Sequence, residues 1–185
     1  MRIIAGRFRG HKLIAPKNLN IRPTTDRIKE SIFNIIQNHI YDSVVIDLFS
    51  GTGNLGIEAL SRGATKVYFI DKNKESISII KKNLEKIDST NMSNIIHDNV
   101  ISGIKKLSKD NVQANIIFMD PPYKKGLVEN VLEHIDKSNI LSSNGIIIVE
   151  EDSSEDLPEN IGNLFIFRQK KYGNTSISFY KEREE

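Results

Sequence analysis

Val44-Val45-Ile46-Asp47-Leu48-Phe49-Ser50-Gly51-Thr52-Gly53-Asn54-Leu55-Gly56 decides the fold. Val44 to Phe49 are apolar apart from Asp47, too short a run for a helix and suited to a strand buried on both faces. Three glycines follow within Gly51–Gly56, and Ile57 to Ser61 open a helix. Glycine lets the backbone turn tightly and approach a ligand closely. Strand, glycine loop and helix together predict a parallel α/β unit. They place Asp47, Ser50, Gly51, Thr52 and Gly53 at the carboxyl end of a strand, where open sheets bind their ligands.

The rhythm continues outward. Lys66 to Ile70 reads as the next strand and ends in Asp71, about 20 residues past Gly51, where nucleotide-binding folds hold ribose hydroxyls with an acid. Asp71, with Lys72 beside it, also suits a helix N-cap, because Ile77, Ile80, Leu84 and Ile87 mark a helix. A third short strand, Ile95 to Val100, has a polar end. Asn99, just before Val100, can accept a bond from an adenine amine, and Asp98 is the competing choice. Gly51, Gly53 and Gly56 also match the dinucleotide fingerprint, which does not separate NAD from S-adenosylmethionine.

Ile116-Ile117-Phe118-Met119 is a fourth buried strand, and Asp120-Pro121-Pro122-Tyr123 stops it. Neither proline can donate to a sheet ladder, and each holds the residue before it extended. A carboxylate, a stiff carbonyl and an aromatic ring are thus fixed at a strand end. They suit a planar group bearing an amine: Asp120 and the Pro121 carbonyl accept its hydrogens, and Tyr123 stacks on its plane.

A chain of 185 residues is one domain, or one domain with a small appendage. With no cysteine there is no disulfide, thiolate zinc site or cysteine nucleophile. No second histidine stands at ligand spacing from His97, so no metal site is expected. No apolar run approaches the ~18 residues of a membrane span, and the start lacks a signal-peptide core. A soluble cytoplasmic protein is expected.

The net charge of +2 is unevenly spread: residues 1–30 hold eight Lys and Arg against Asp26 and Glu30, a net +6 that leaves −4 for the rest. Arg2–Ala5 and His11–Ala15 read as strands of a hairpin with Arg7, Phe8 and Arg9 at its tip, a combination that suits phosphates and a base face. Residues 1–22 form this basic arm, with Lys12 and Arg22 as further phosphate contacts, although Arg22 also fits a turn-stabilising role. Residues 23–185 form the main domain, opened by a helix with Thr24 or Thr25 as cap. Lys124 and Lys125 lead into a helix through Leu127 to Ile135, and Gly145–Glu150 is a fifth strand. Glu151–Asn160 gives a weak helix, and Leu164–Gln169 and Ser176–Tyr180 form a closing hairpin.

Asp-Pro-Pro-Tyr resembles the motif of amino-group methyltransferases that use S-adenosylmethionine. The alternating elements, closed by a hairpin, are similar to the Rossmann-like class I methyltransferase fold, a seven-stranded sheet with one antiparallel strand. Four stretches sharpen the resemblance: Arg2-Ile3-Ile4-Ala5-Gly6 with Arg9-Gly10-His11-Lys12-Leu13; Arg22-Pro23-Thr24-Thr25-Asp26-Arg27 with Glu30, Phe33 and Asn34; Asp47 to Gly53 with Gly56 to Gly63; and Met119 to Tyr123. Together they resemble the bacterial 16S rRNA (guanine-N2)-methyltransferase family, essentially end to end. A monomer is expected, and the resemblance implies a small-subunit rRNA substrate, expected within a 30S subunit or assembly intermediate with naked RNA as the alternative. It also implies that Asp47, Ser50, Gly51, Thr52, Gly53, Asp71, Lys72, Asn99, Val100 and Asp120 bind S-adenosylmethionine. Asp120, Pro121, Pro122 and Tyr123 would hold the target base, and Arg7, Arg9, Lys12, Arg22 and Lys124 would face RNA. A related enzyme acting on DNA adenine or cytosine or on a protein glutamine is the alternative, as is a non-catalytic Rossmann-type nucleotide-binding protein.

Overall fold

The computed structural model describes residues 1–16, 26–122 and 126–183. Arg22, Tyr123, Lys124 and the Thr24 or Thr25 cap lie outside the described residues. Five strands, β1 (Val44–Leu48), β2 (Lys66–Asp71), β3 (Ser93–His97), β4 (Ala114–Met119) and β5 (Leu141–Asp152), pair in parallel. β8 (Thr175–Glu182) then runs antiparallel to β5, and β7 (Leu164–Tyr172) pairs with β8. With β6 (Asn160–Ile161) at the edge, the order is β3-β2-β1-β4-β5-β8-β7-β6. The α/β class I architecture read from the sequence is the one observed.

Alternation along the strands sends side chains to two cores. Val45, Ile116, Phe118 and Ile148 join one core with the amino-terminal segment, α1 (Asp26–Ile35), α3 (Asn54–Ser61) and α4 (Lys74–Lys86). Ile46, Ile117, Met119 and Val149 join the other with α5 (Val100–Lys109) and α6 (Leu127–Asp136). The short α2 (Gln37–Ile40) leads from α1 to β1. Burying each such side chain contributes about 1.5–3 kcal/mol, so both faces of the central strands are committed to packing. Their carboxyl ends are left for chemistry.

Two expectations are corrected. Glu151–Asn160 forms no helix: β5 runs to Asp152, turns follow, and Asn160–Ile161 adds an eighth, two-residue strand. Pro158 and the acidic run give a helix too little apolar face to bury. The amino-terminal hairpin reduces to one bridge, Arg2 with Lys12. Ile3 N–H to His11 O, Gly10 N–H to Ile3 O and Leu13 N–H to Met1 O still cross between the two arms at 3.0, 2.9 and 3.2 Å, while other groups turn to α3: Ile4 and Ala5 N–H donate to Glu58 at 2.9 and 3.0 Å, Arg7 N–H to Ser61 O at 2.7 Å, and Phe8 N–H to Ser61 Oγ at 3.0 Å. Gly6 makes this docking possible. A Cβ there would sit 1.9 Å from Ser61 O. Ile3, Phe8 and Leu13 are consequently core residues, so the Phe8 ring is not available to stack on a base.

Candidate active site

The site is built from loops at the carboxyl ends of β1 to β5. Phe49, the residue after β1, adopts a φ of +57°. A bulky residue there costs on the order of 1–3 kcal/mol, which the surrounding bonds must sustain. Ser50 Oγ donates to the Asp47 and Ile70 carbonyls and accepts from Ile70 N–H at 2.9 Å, while Gly53 N–H donates to Ser50 O at 2.7 Å. Asp47 reaches over the loop to accept Gly56 N–H at 2.9 Å. Gly56 must be small, because a Cβ there would lie 2.4 Å from the Phe69 ring.

Asp71 fixes the other rim. One carboxylate oxygen accepts Gly51 N–H and the other Asn73 N–H, each at 2.8 Å. The N-cap of α4 is Asn73, which accepts Glu75 N–H, so Asp71 organises the glycine loop instead. Its carboxylate is half-buried, and each oxygen has a further lone pair for a hydroxyl donor. Lys72 is exposed, and its carbonyl meets His97 Nε2 at 3.1 Å.

At the end of β3, Asn99 caps α5. Its amide oxygen accepts Ser102 N–H at 2.9 Å, and its NH₂ donates to Asp98 and Ser102. The oxygen expected to meet adenine is therefore used in a cap. Asp98 accepts the Asn99 groups through Oδ1 only, so its second oxygen suits an amine better. Val100 is buried as the first residue of α5.

Three carboxylates stand in a row across neighbouring strands. Asp47 lies level with Phe118, Asp120 follows β4, and Glu150 is the residue of β5 after Val149, the partner of Met119. By alternation all three lie on the face shared with α1 and α3. Asp47 is 3% exposed and Glu150 7%. Burial pushes the Asp47 carboxyl up to about 8, the Gly56 N–H holding it down and the Asp71 charge adding to the rise. Asp120 is raised well above the usual carboxylate range by burial, then by the charges of Glu150 and Asp47. Pro121 is buried and Pro122 exposed beside it. Sequence reasoning missed Glu150; the signal was an acid closing the apolar run Ile146–Val149.

The acceptors fit a nucleoside-bearing cation: Asp71 suits ribose hydroxyls, Asp98 suits an amine, and a nearby cation would draw the buried Asp47 and Asp120 carboxyls into their charged form. Among the described residues no group of three or more metal-ligating side chains is placed to hold a metal ion. The arm cations stand apart. Arg7 and Arg9 are exposed near Ser61, at the far end of α3 from the glycine loop, and Lys12 is exposed beside α4.

Comparison with known proteins supplies independent evidence. The family described as conserved hypothetical protein 95 matches residues 1–181. A Bacillus subtilis protein described as a candidate rRNA methyltransferase is 37% identical over 183 residues, 99% of this chain and 100% of the relative. The ribosomal RNA small subunit methyltransferase D of Escherichia coli is 32% identical, covering 100% of this chain and 91% of that protein. A solved structure of an E. coli protein described as a methyltransferase superposes with a TM-score of 0.89 at 30% identity, covering 100% of this chain and 99% of that one.

Proposed function

Because the chain belongs to the conserved hypothetical protein 95 family, which includes the ribosomal RNA small subunit methyltransferases D, we propose that it moves a methyl group from S-adenosylmethionine to the exocyclic N2 amine of a guanine in 16S rRNA. Membership supports the class, an S-adenosylmethionine-dependent rRNA methyltransferase. The observation that supports the amine is the Asp120 carboxylate, fixed before Pro121 and flanked by Asp47 and Glu150.

When bound, S-adenosylmethionine supplies a methyl group on a sulfonium, already activated for transfer. The glycine loop at Ser50, Gly51, Thr52 and Gly53 would seat its amino-acid part above Asp47. Asp71 and Lys72 would hold the ribose, and Asp98, Asn99 and Val100 would frame the adenine. Strand order places Glu150 on the side of Asp120 away from that seat. The guanine edge presents N1–H and N2–H donors side by side. Glu150 takes the first, Asp120 and the Pro121 carbonyl take the second, and Tyr123 stacks on the ring.

The N2 lone pair is delocalised into the ring and is a weak nucleophile. Bonds to Asp120 and Pro121 O favour a pyramidal nitrogen whose lone pair points at the methyl carbon, so orientation lowers the barrier. N2 would bond the methyl carbon as the C–S pair leaves with sulfur, and Asp120 would take the N2 proton. Its raised basicity suits that acceptance. Unstacking the base costs a few kcal/mol, and stacking on Tyr123 returns about 1–3 kcal/mol.

The protein acts as a cytoplasmic monomer on a 30S subunit or assembly intermediate. Residues 1–22 serve as the RNA-facing arm, and residues 23–185 as the catalytic domain. Arg7, Arg9, Lys12, Arg22 and Lys124 contact phosphates. Incubation with tritiated S-adenosylmethionine and rRNA, DNA or protein tests the reading: label is expected in rRNA, and label confined to DNA or protein would overturn it.

A further inference from the structure

The acidic body of the chain carries a second basic region at the sheet edge. Residues 164–183 hold Arg168, Lys170, Lys171, Lys181 and Arg183 against Glu182, a net +4. With the amino-terminal +6 set aside, the remaining residues carry −8. The two basic regions are separate in sequence and both stand out against the body.

Strand register sorts these cations by face. Lys170 pairs with Ile177, which pairs with Glu150. Lys170 is therefore level with the candidate active site, two strands away at about 4.8 Å per strand. A bulge at Phe167 then sets Arg168 opposite Phe179, and Lys181 pairs with Phe165. Ile177 and Phe179 belong to the core on the Asp120–Glu150 side, so Lys170, Arg168, Lys181 and Arg183 point to that face. They run about 20 Å along β7 and β8, at about 3.3 Å per residue. Lys171 pairs with Ser176 and points to the opposite face.

Two phenylalanines stand among these cations. Phe165 is half-buried and Phe167 is 40% exposed. Lys181 Nζ lies 5.5 and 5.9 Å from their ring centroids, and the Arg183 guanidinium 6.0 Å from Phe165. Strand faces without such a role carry scattered, single apolar residues. Cations interleaved with one exposed and one half-buried aromatic match the chemistry of a single-stranded nucleic acid: phosphates meet the charges and bases meet the ring faces.

We propose that the face bearing Phe165, Phe167, Arg168, Lys170, Lys181 and Arg183 is a second RNA-docking track, which holds the strand leading away from the methylated base. It rests on the rRNA reading above. It also makes a stronger base platform than the amino-terminal arm, whose Phe8 is buried.

The test is a salt titration of small-subunit rRNA binding by the full chain, with S-adenosylhomocysteine calorimetry and melting curves as controls. The variants are K181Q/R183Q on the track face and K171Q on the opposite face. Loss of two phosphate contacts should weaken binding about 25-fold at 0.1 M salt and flatten the log K against log salt slope by about 1.4. K171Q should leave both unchanged, with cofactor affinity and melting temperature near wild type in every variant. A second track variant, F167A, should weaken binding about 5- to 150-fold without altering the slope, by loss of one stacked base. Wild-type RNA binding that none of the track variants weakens would overturn the track and leave the methyltransferase reading intact. Failure of the wild-type chain to bind or methylate any rRNA would overturn both. Equal binding to anionic lipid vesicles, with no preference for RNA, would assign the face to a membrane and overturn the track.

Discussion

Two buried clusters of charge, about one helix apart, are built on opposite terms. At Glu58, in the middle of α3, the carboxylate is fully enclosed yet receives Ile4 and Ala5 N–H, Lys29 Nζ at 3.1 Å and Arg62 Nε at 2.9 Å. Lys29 divides its other protons between Arg2 O and Asn54 Oδ1. Burial lowers the Lys29 pKa, and Glu58 pulls it back. At the strand ends, Asp47 accepts the Gly56 N–H, and Asp120 faces Glu150 and Asp47, which carry its own sign. The first cluster is what folding needs: a paired charge that nails the amino-terminal segment and α1 to α3. The second cluster sets carboxyls against one another at the strand ends, which suits a cationic cofactor and amine donors arriving from outside.

The sharpest way to break this contrast is Asp120→Ala. Turnover should fall by roughly 10²–10⁴, the range for a positioned acid–base group, while S-adenosylhomocysteine affinity and melting temperature hold. Near-normal turnover would remove Asp120 from the chemistry. The opposite pattern is expected at the paired cluster. Glu58→Ala strands Lys29 and two backbone N–H groups and should cost about 3–5 kcal/mol of stability, read by denaturant unfolding. Equal loss at both clusters would erase the distinction.

Glu150→Gln keeps the shape but removes the charge, and should lower kcat/KM about 10–100-fold, one charge-assisted hydrogen bond. Replacing the target guanine with 2-aminopurine, which lacks N1–H, should cost wild type far more than this variant. A penalty of equal size in both would detach Glu150 from N1.

Asp47→Asn is the mildest case and changes sign. Asp47 is raised from an unfolded value of about 3.9 to about 8 in the fold. The folded protein therefore binds the proton more tightly, and stability drains away as pH rises from 4 to 8. Asparagine still accepts the Gly56 N–H and escapes that loss. The apo variant should be more stable than wild type by about 1–2 kcal/mol at pH 8 and equal at pH 4, followed by melting temperature across pH. S-adenosylmethionine affinity should fall roughly tenfold. A variant that melts lower than wild type at pH 8 would make Asp47 a structural acid like Glu58.

The strand-end cluster was largely legible in the sequence, because glycines and prolines announce turns and an acid closing an apolar run announces a strand end. Asp47, Asp71 and Asp120 were found that way. The paired cluster was not. Lys29 and Glu58 sit on different helices, and nothing local says that a charge at a helix centre will be enclosed by a distant segment. Phe8 misled for the same reason, since flanking arginines suggest exposure while Gly6 turns the ring into the core. Glu150 and the β7–β8 cations needed the register, which fixes what faces Asp120 and which side Lys181 takes.

The most direct measurement is nucleoside analysis of 16S rRNA after reaction with tritiated S-adenosylmethionine. The account predicts that digestion and mass spectrometry place the label in N2-methylguanosine, and that Asp120→Ala removes it. Label on a ring carbon, a ribose oxygen or another base would contradict an amine held between Asp120 and Pro121.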